Sequence, residues 1–232
     1  MKTLHISAGG RGERMASYIS SIAPFLPKHL LPLPTSGKTI LGEIVFRATS
    51  NFEDIRIWSS KETYPHIIFN IERLAPVNID IDAEMTGPLG PMIRNLLNSN
   101  QRVYGCAGDF YCDFSWAAFE EFHLSHEFPV SILVAQSIAA PQGARFILDK
   151  HQVVEWERVD RTTVEDFINM GCYIINPDPE VIRMLGHMKE HKEDIFFDLL
   201  IKEGLVGGYN PGTRGFNVNV PEIYESLLHA LA

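Results

Sequence analysis

The sequence predicts an α/β protein built on a mixed, mainly parallel sheet. Short apolar runs alternate with stretches of helical spacing through the first half of the chain, and the first such run breaks directly into a glycine cluster. Size agrees with this. With 232 residues, 45% apolar and 21% charged, the chain can fill one sizeable core and has no signature of disorder, so a single domain is the economical reading.

Leu4 to Ser7 is the first strand; Gly9-Gly10-Arg11-Gly12 follows it, and helical spacing begins at Arg14. Pro24, Pro27, Pro32 and Pro34 punctuate the next segment around Leu30-Leu31, where the missing N–H and fixed φ of proline largely exclude helix. Ile40, Leu41, Ile44 and Val45 recur at helical spacing within Lys38 to Ala48. Ile55 to Trp58 reads as a second strand, Tyr64 to Leu74 as a crossover helix and Val77 to Ile81 as a third strand. After the turn Thr86-Gly87-Pro88-Leu89-Gly90-Pro91, the residues Met92, Ile93, Leu96 and Leu97 form a helical face, and Arg102 to Ala107 is a fourth strand. Such βα units place ligands at the carboxyl ends of the strands. The later half is more mixed. Strands are predicted over Pro129 to Ala135, Arg145 to Trp156 with a turn at Asp149-Lys150, Met170 to Ile175, Leu205 to Tyr209 and Phe216 to Val220. Helices are predicted over Pro179 to Met188, over Asp194 to Ile201, and from Pro221 onward.

Twenty basic against 29 acidic residues leave a net charge of −9, which repels a polyphosphate backbone unless a basic stripe interrupts it, and the sequence has none. Nucleic acid is therefore not an expected partner; a small phosphorylated ligand held by a few local positive groups is. Cys106, Cys112 and Cys172 are odd in number, sparse, and miss zinc-ribbon spacing, so they read as small buried hydrophobes in a reducing compartment. The amino terminus is too short and polar for a signal peptide, and no apolar run reaches about 18 residues, so no membrane partner is expected and the cytoplasm is the expected location. The carboxy-terminal helices allow packing within one chain or in a homo-oligomer.

Four places could carry chemistry. Consecutive glycines after strand one let backbone N–H groups converge on an anion at the start of a helix, and phosphate is the natural guest. The dinucleotide fingerprint fails, because Met15 stands where a third glycine or alanine is needed. Ser36-Gly37-Lys38-Thr39 imitates the end of a P-loop, but Pro32 stands at the leading glycine and has no N–H to offer. Lys28, flanked by Pro27 and Pro32, sits on a stiff backbone that the following leucines would anchor, aiming its ammonium at one point. Asp109 ends an apolar strand just after Gly108, where a carboxylate among phosphates implies a hard cation such as Mg²⁺. Asn217 lies at a late strand before a proline-started helix; asparagine is a legitimate oxygen ligand and, more commonly, a turn or cap residue.

In this order and at these distances, the pieces resemble the sugar-phosphate nucleotidyltransferases, the enzymes that make nucleoside diphosphate sugars. Their A-G-x-G-T-R-[ML] and P-K-P-[LM]-[LV]-P patterns are echoed by Ala8 to Met15 and Pro27 to Pro32, and L-G-T-A by Leu89-Gly90-Pro91-Met92. Their strand-end G-D is echoed by Gly108-Asp109, and N-[AM]-G-[IC]-Y by Asn169-Met170-Gly171-Cys172-Tyr173. The closing motif is met by Asn217-Val218-Asn219-Val220-Pro221-Glu222-Ile223-Tyr224. The resemblance spans about residue 4 to the carboxy terminus. This chain departs from the pattern at Glu13 (usually threonine), at Arg158 (the lysine of an E-K pair) and at Asn217 (usually aspartate). Pro91 and Met92 replace residues that commonly frame the base, so the choice of nucleotide does not carry over.

The resemblance implies a single Rossmann-like domain, a three-layer sandwich of the nucleotide-diphospho-sugar transferase type, with residues 1–110 as its nucleotide-binding half and 111–232 as its sugar-phosphate half. The implied reaction joins a nucleoside triphosphate to a sugar 1-phosphate with release of pyrophosphate. It assigns catalysis to Arg14, Lys28 and Asp109, and nucleotide binding to Ala8, Gly9, Gly10, Arg11, Gly12, Thr86, Gly90 and Gly108. Glu157, Arg158, Asn169 and Gly171 would bind the sugar phosphate, and Asp109 with Asn217 would hold Mg²⁺. Two other readings compete. A glycosyltransferase would use the D-x-D spacing of Asp80-Ile81-Asp82; a non-catalytic nucleotide sensor would explain Glu13 and Asn217 as decay of the site. A zinc site on His187 and His191 fails, because Met188 stands where H-E-x-x-H needs glutamate.

Overall fold

The computed structural model describes residues 1–10, 12–23, 26–71, 77–81, 89–138, 143–188 and 192–232. Arg11, Thr86, Asp82 and His191 lie outside the described residues, as do the end of the predicted helix at Leu74 and most of the turn before Pro91.

Strand β1 (Thr3–Ser7) is followed by a short 3₁₀ turn, Glu13–Met15, and α1 (Ala16–Ile22). A second 3₁₀ turn, Lys28–Leu30, leads into the small hairpin β2 (Pro32–Leu33) and β3 (Lys38–Thr39), and then α2 (Ile40–Ala48). The predicted helix starts two residues late because the Thr39 hydroxyl caps it, accepting from the Gly42 amide at 3.0 Å. Then come β4 (Asp54–Ser59), α3 (Tyr64–Ile71), β5 (Asn78–Ile81), α4 (Gly90–Ser99), β6 (Val103–Ala107), β7 (Phe110–Cys112) and α5 (Trp116–Ser125). The second half comprises β8 (Val130–Gln136), β9 (Gly143–Asp149), β10 (Gln152–Val159), β11 (Phe167–Ile175), α6 (Pro179–Gly186), α7 (Glu193–Leu200), β12 (Val206–Tyr209), β13 (Gly215–Asn217) and α8 (Pro221–Leu231).

Nine strands form one sheet in the order β5-β4-β1-β6-β11-β8-β12-β10-β9. The pairs β5–β4, β4–β1 and β1–β6 are parallel, as the βα alternation requires; β11 runs antiparallel to both β6 and β8, which makes the whole sheet mixed. Alternate residues of β11 serve two buried clusters. Met170, Cys172 and Ile174 join one with α2 and α8, while Tyr173 and Ile175 join the other with α4, α6 and α7. No helix among the described residues is long and apolar enough to cross a membrane.

The β2–β3 hairpin, α5 and β7 were not foreseen. In α5, Trp116, Phe119 and His123 turn inward, yet Leu124 stays 60% exposed and Phe122 is half-buried, so its apolar residues make no clean stripe to read. The β7–β13 pair has only three residues in each strand, and its partners are about a hundred positions apart. The predicted strand over Phe216 to Val220 is thus shorter and outside the main sheet. Val218 instead reaches back, its amide donating to the Asp109 carbonyl at 2.8 Å.

Gly171 is the one conformational exception that shapes β11. Its φ of +68° lies in the left-handed region, and a Cβ there would come 2.9 Å from the Cβ of Ala107 on β6. The register of β11 against β8 shifts between Asn169 and Tyr173 around it. Gly171→Ala is expected to cost about 2–4 kcal/mol from strain and overpacking together, read as a lower urea midpoint. An unchanged midpoint would contradict this account of the bulge.

Candidate active site

The chain leaves β1 for β4 and β5 on one side and returns through α4 to β6 on the other, so the carboxyl ends of β1 and β6 flank a topological switch point. The glycine loop leaves β1 there and Asp109 leaves β6. A cavity of about 420 Å³ opens at this point.

Lys28 and Asp109 meet in it as an ion pair, both side chains largely buried. Lys28 follows Pro27, whose φ of −62° and ψ of 143° turn the chain into the 3₁₀ turn. His29, Leu30 and Leu31 sink into the protein at 2% exposure or less, which anchors the lysine backbone as the proline spacing predicts. The Lys28 stem lies along the glycine loop: a methyl group on Gly12, whose φ is +65°, would meet Lys28 Cγ at 3.5 Å. Gly108 lets the end of β6 pass close to β1, where an added Cβ would stand 3.2 Å from both Ala8 Cβ and the Ser7 carbonyl oxygen. Burial pushes the Asp109 carboxyl up, but the Lys28 ammonium more than offsets this and holds it below the usual carboxylate range.

Of the predicted residues, Gly9, Gly10, Arg14, Lys28, Asp109, Arg158, Asn169 and Asn217 line this cavity. Ala8, Gly12, Gly90, Gly108 and Gly171 do not; Gly12, Gly108 and Gly171 allow close backbone approaches beside it. Glu13, the acidic departure in the loop, is exposed and points elsewhere. Glu157 is the clearest correction. It pairs with Arg145 and stays 42% exposed away from the cavity, while its neighbour Arg158 reaches in. Successive strand residues face opposite sides, so β10 can present only one of the two. Asp80 likewise does not line the cavity, and Asp82, the other aspartate of the D-x-D reading, lies outside the described residues.

Arg158 grips Asp194 at the start of α7 through Nη2 at 2.6 Å and Nε at 3.2 Å. Asn169 spends its side chain on the framework: Oδ1 accepts from the Gly171 amide at 2.8 Å, and Nδ2 donates to the Tyr173 hydroxyl at 2.7 Å. Tyr173 in turn donates to Glu193, whose pKa burial raises, with Asp109 and Asp194 adding to the effect. Sequence reading missed Glu193 as a cavity residue; its only signal was an acid immediately before a predicted helix, which the structure starts one residue earlier.

Asn217 faces Phe110 across the β13–β7 ladder, which sets it beside Asp109. Asn219 lines the cavity too, and its buried Oδ1 has no hydrogen-bond partner among the described residues. A carboxylate and two amide side chains are the hard oxygen set that suits Mg²⁺. The donor set fits the metal that the sequence implied.

His29 lines the cavity with Nε2 unpartnered among the described residues, and burial lowers its pKa to about 4. Burial does the same to His5 and His123. A folded pKa below the unfolded value of about 6.5 means that the unfolded chain binds more protons, so stability falls as pH drops from about 6.5 toward 4. Each histidine can contribute up to about 1.4 kcal/mol per pH unit. Urea midpoints measured between pH 7 and 5 should decline steadily; a flat profile would contradict the neutral, buried state.

No family model and no curated protein matches the sequence. Solved structures do match. A Bacillus anthracis protein described as a glucose-1-phosphate thymidylyltransferase, in complex with a sucrose, superposes with a TM-score of 0.79 at 15% identity, covering 100% of this chain and 95% of that one. HddC from Yersinia pseudotuberculosis gives 0.70 at 19% identity over 100% of both chains. The inositol-1-phosphate CTP transferase from T. maritima gives 0.71 at 13% identity, over 100% and 94%. At these identities the likeness establishes a shared fold, the α/β fold that these proteins adopt.

Proposed function

We propose that the protein is a Mg²⁺-dependent nucleotidyltransferase that joins a nucleoside triphosphate to a sugar 1-phosphate, or a similar phosphorylated small molecule, releasing pyrophosphate. The observation that carries this reading is the convergence of Lys28 and Asp109, 81 positions apart, in one cavity with the glycine loop and Arg158. Proteins with the same fold carry names for this chemistry on a sugar or inositol phosphate. In the proposed arrangement the whole chain is one three-layer, Rossmann-like domain. Residues 1–110 serve the nucleotide and 111–232 the sugar phosphate.

An oxygen of the sugar phosphate attacks the α-phosphorus in line, and the bond to the β-phosphate oxygen breaks. No general base is needed, since a phosphate monoester with a second pKa near 6 is mostly dianionic at neutral pH. The work left to the protein is alignment and charge neutralisation. The loop amides at Gly9 and Gly10, with Arg14, hold the β- and γ-phosphates, and Lys28 meets the charge that moves onto the leaving group. Arg158 meets the incoming sugar phosphate while Asp194 holds its guanidinium in place. Asp109, Asn217 and Asn219 would hold Mg²⁺, which when bound neutralises charge between the two phosphates. Lys28 is paired with Asp109 in this structure, which holds its ammonium beside the glycine loop where the triphosphate would sit.

The test is a pyrophosphate-release screen crossing four nucleoside triphosphates with a panel of sugar and polyol 1-phosphates in Mg²⁺. Release that depends on both substrates supports the reading. Tight triphosphate binding without release across the whole panel would replace it with a nucleotide sensor.

A further inference from the structure

Trp58 lines the same cavity as Gly9 and Gly10, and the sheet register sets its place. It lies opposite Ser7 of β1, and the Ala8 amide donates to its carbonyl at 2.7 Å. Ile55 and Ile57 of the same strand belong to one core cluster, so strand alternation turns the indole to the other sheet face.

The ring is held rigidly there. Its Nε1 donates to His5 Nδ1 at 3.1 Å, and His5 Nε2 pairs with the Asn95 side-chain amide at 3.1 Å. Burial lowers the His5 pKa to about 4, so at neutral pH the imidazole is uncharged and able to accept. An indole N–H lies in the ring plane, so this bond places His5 beyond the edge of the ring and not over it. The 16° interplanar angle and 6.1 Å centroid separation agree with two rings side by side. His5 therefore fixes the indole without covering either face. The guanidinium carbon of Arg94 lies 6.0 Å from the ring centroid over one of them, at the outer limit of cation–π contact.

Position along the sheet tells what this surface would meet. The order β4-β1-β6-β11 sets Trp58 on one side, the glycine loop and Asp109 in the middle, and Asn169 on the far side. Neighbouring strands are about 4.8 Å apart, so Trp58 and Asn169 stand on strands about 14 Å apart, with the phosphate-binding elements between them. A ligand with phosphates at the centre and a sugar toward β11 must put its other end near β4.

We infer that Trp58 is the stacking platform for the nucleobase of the triphosphate, an inference that rests on the nucleotidyltransferase reading. Since Nε1 is committed to His5, the indole offers a π-face and no donor. It recognises a flat heterocycle without reading its edge, and the larger face of a purine gains more from it than that of a pyrimidine.

The experiment is equilibrium binding of α,β-methylene nucleoside triphosphates and of inorganic tripolyphosphate, in Mg²⁺, to the wild type and to Trp58→Ala, Trp58→Leu and Trp58→Phe. The alanine and leucine variants should lose about 10–100-fold in nucleotide affinity, purines more than pyrimidines, and the phenylalanine variant less. Tripolyphosphate, which has no base, should bind all four within about twofold of one another. Unchanged nucleotide affinity, equal losses for both ligands, or full rescue by the apolar but non-aromatic leucine would each overturn the inference. The two readings fail separately. A wild type that binds nucleotides through Trp58 but releases no pyrophosphate sinks the transfer reaction alone; one that releases pyrophosphate while the variants bind normally sinks the platform alone.

Discussion

Lys28→Ala is expected to lower kcat by about 10²–10³-fold with only a modest change in KM, the loss expected when one preorganised positive donor is removed from a developing charge. The argument is differential. In the resting protein the ammonium is bound to Asp109, so its best interaction with the triphosphate comes only as negative charge builds on the leaving group. Asp109 supplies a second readout. Its carboxyl is held low because the Lys28 charge outweighs the effect of burial. A depressed folded-state pKa adds stability above the unfolded carboxylate value of about 3.9, and this is lost as pH falls through the folded value. Without the ammonium, burial dominates and the sign reverses: the variant is destabilised at neutral pH and recovers as pH falls toward the unfolded value. Lys28→Met retains most of the stem that packs along the glycine loop and separates lost charge from lost packing. Wild-type turnover in both variants would remove Lys28 from the reaction.

Asp109→Asn is expected to abolish Mg²⁺-dependent pyrophosphate release, a fall of about 10³-fold or more, while the far-UV spectrum stays native. Asparagine keeps the shape and one oxygen but loses the charge that attracts both Lys28 and a divalent cation. The Asp109 backbone still accepts from the Val218 amide, so the β7–β13 junction should survive. The metal dependence is the informative part, because whatever activity remains should require a higher Mg²⁺ concentration than in the wild type. A variant as active as the wild type, with the same Mg²⁺ dependence, would take Asp109 out of the metal site.

The alternation of strand and helix from Leu4 to Ala107 was legible because each element there has a clear period and a clear stop. Apolar runs, prolines and glycine breaks are local signals. Lys28, Asp109 and the glycine loop were legible for the same reason: a stiff proline frame and the glycine-marked ends of two strands are written in adjacent residues. Trp116 to Ser125 was not, since aromatic residues on several sides of a helix give no period. Glu193 and Trp58 were not, because each shows only as an ordinary helix start or strand residue until the fold turns it toward the cavity.

The sequence by itself determined the parallel amino-terminal half, the glycine loop after the first strand and the positions of the lysine and the carboxylate, since those depend on spacing along the chain. Only the tertiary structure decided that Arg158 and not Glu157 enters the cavity, that Glu13 stays outside it, and that Asn217 and Asn219 come to lie beside Asp109. The physical reason is that such placements depend on which face of a strand is turned inward and on pairings between segments about a hundred residues apart, and neither leaves a mark in neighbouring residues.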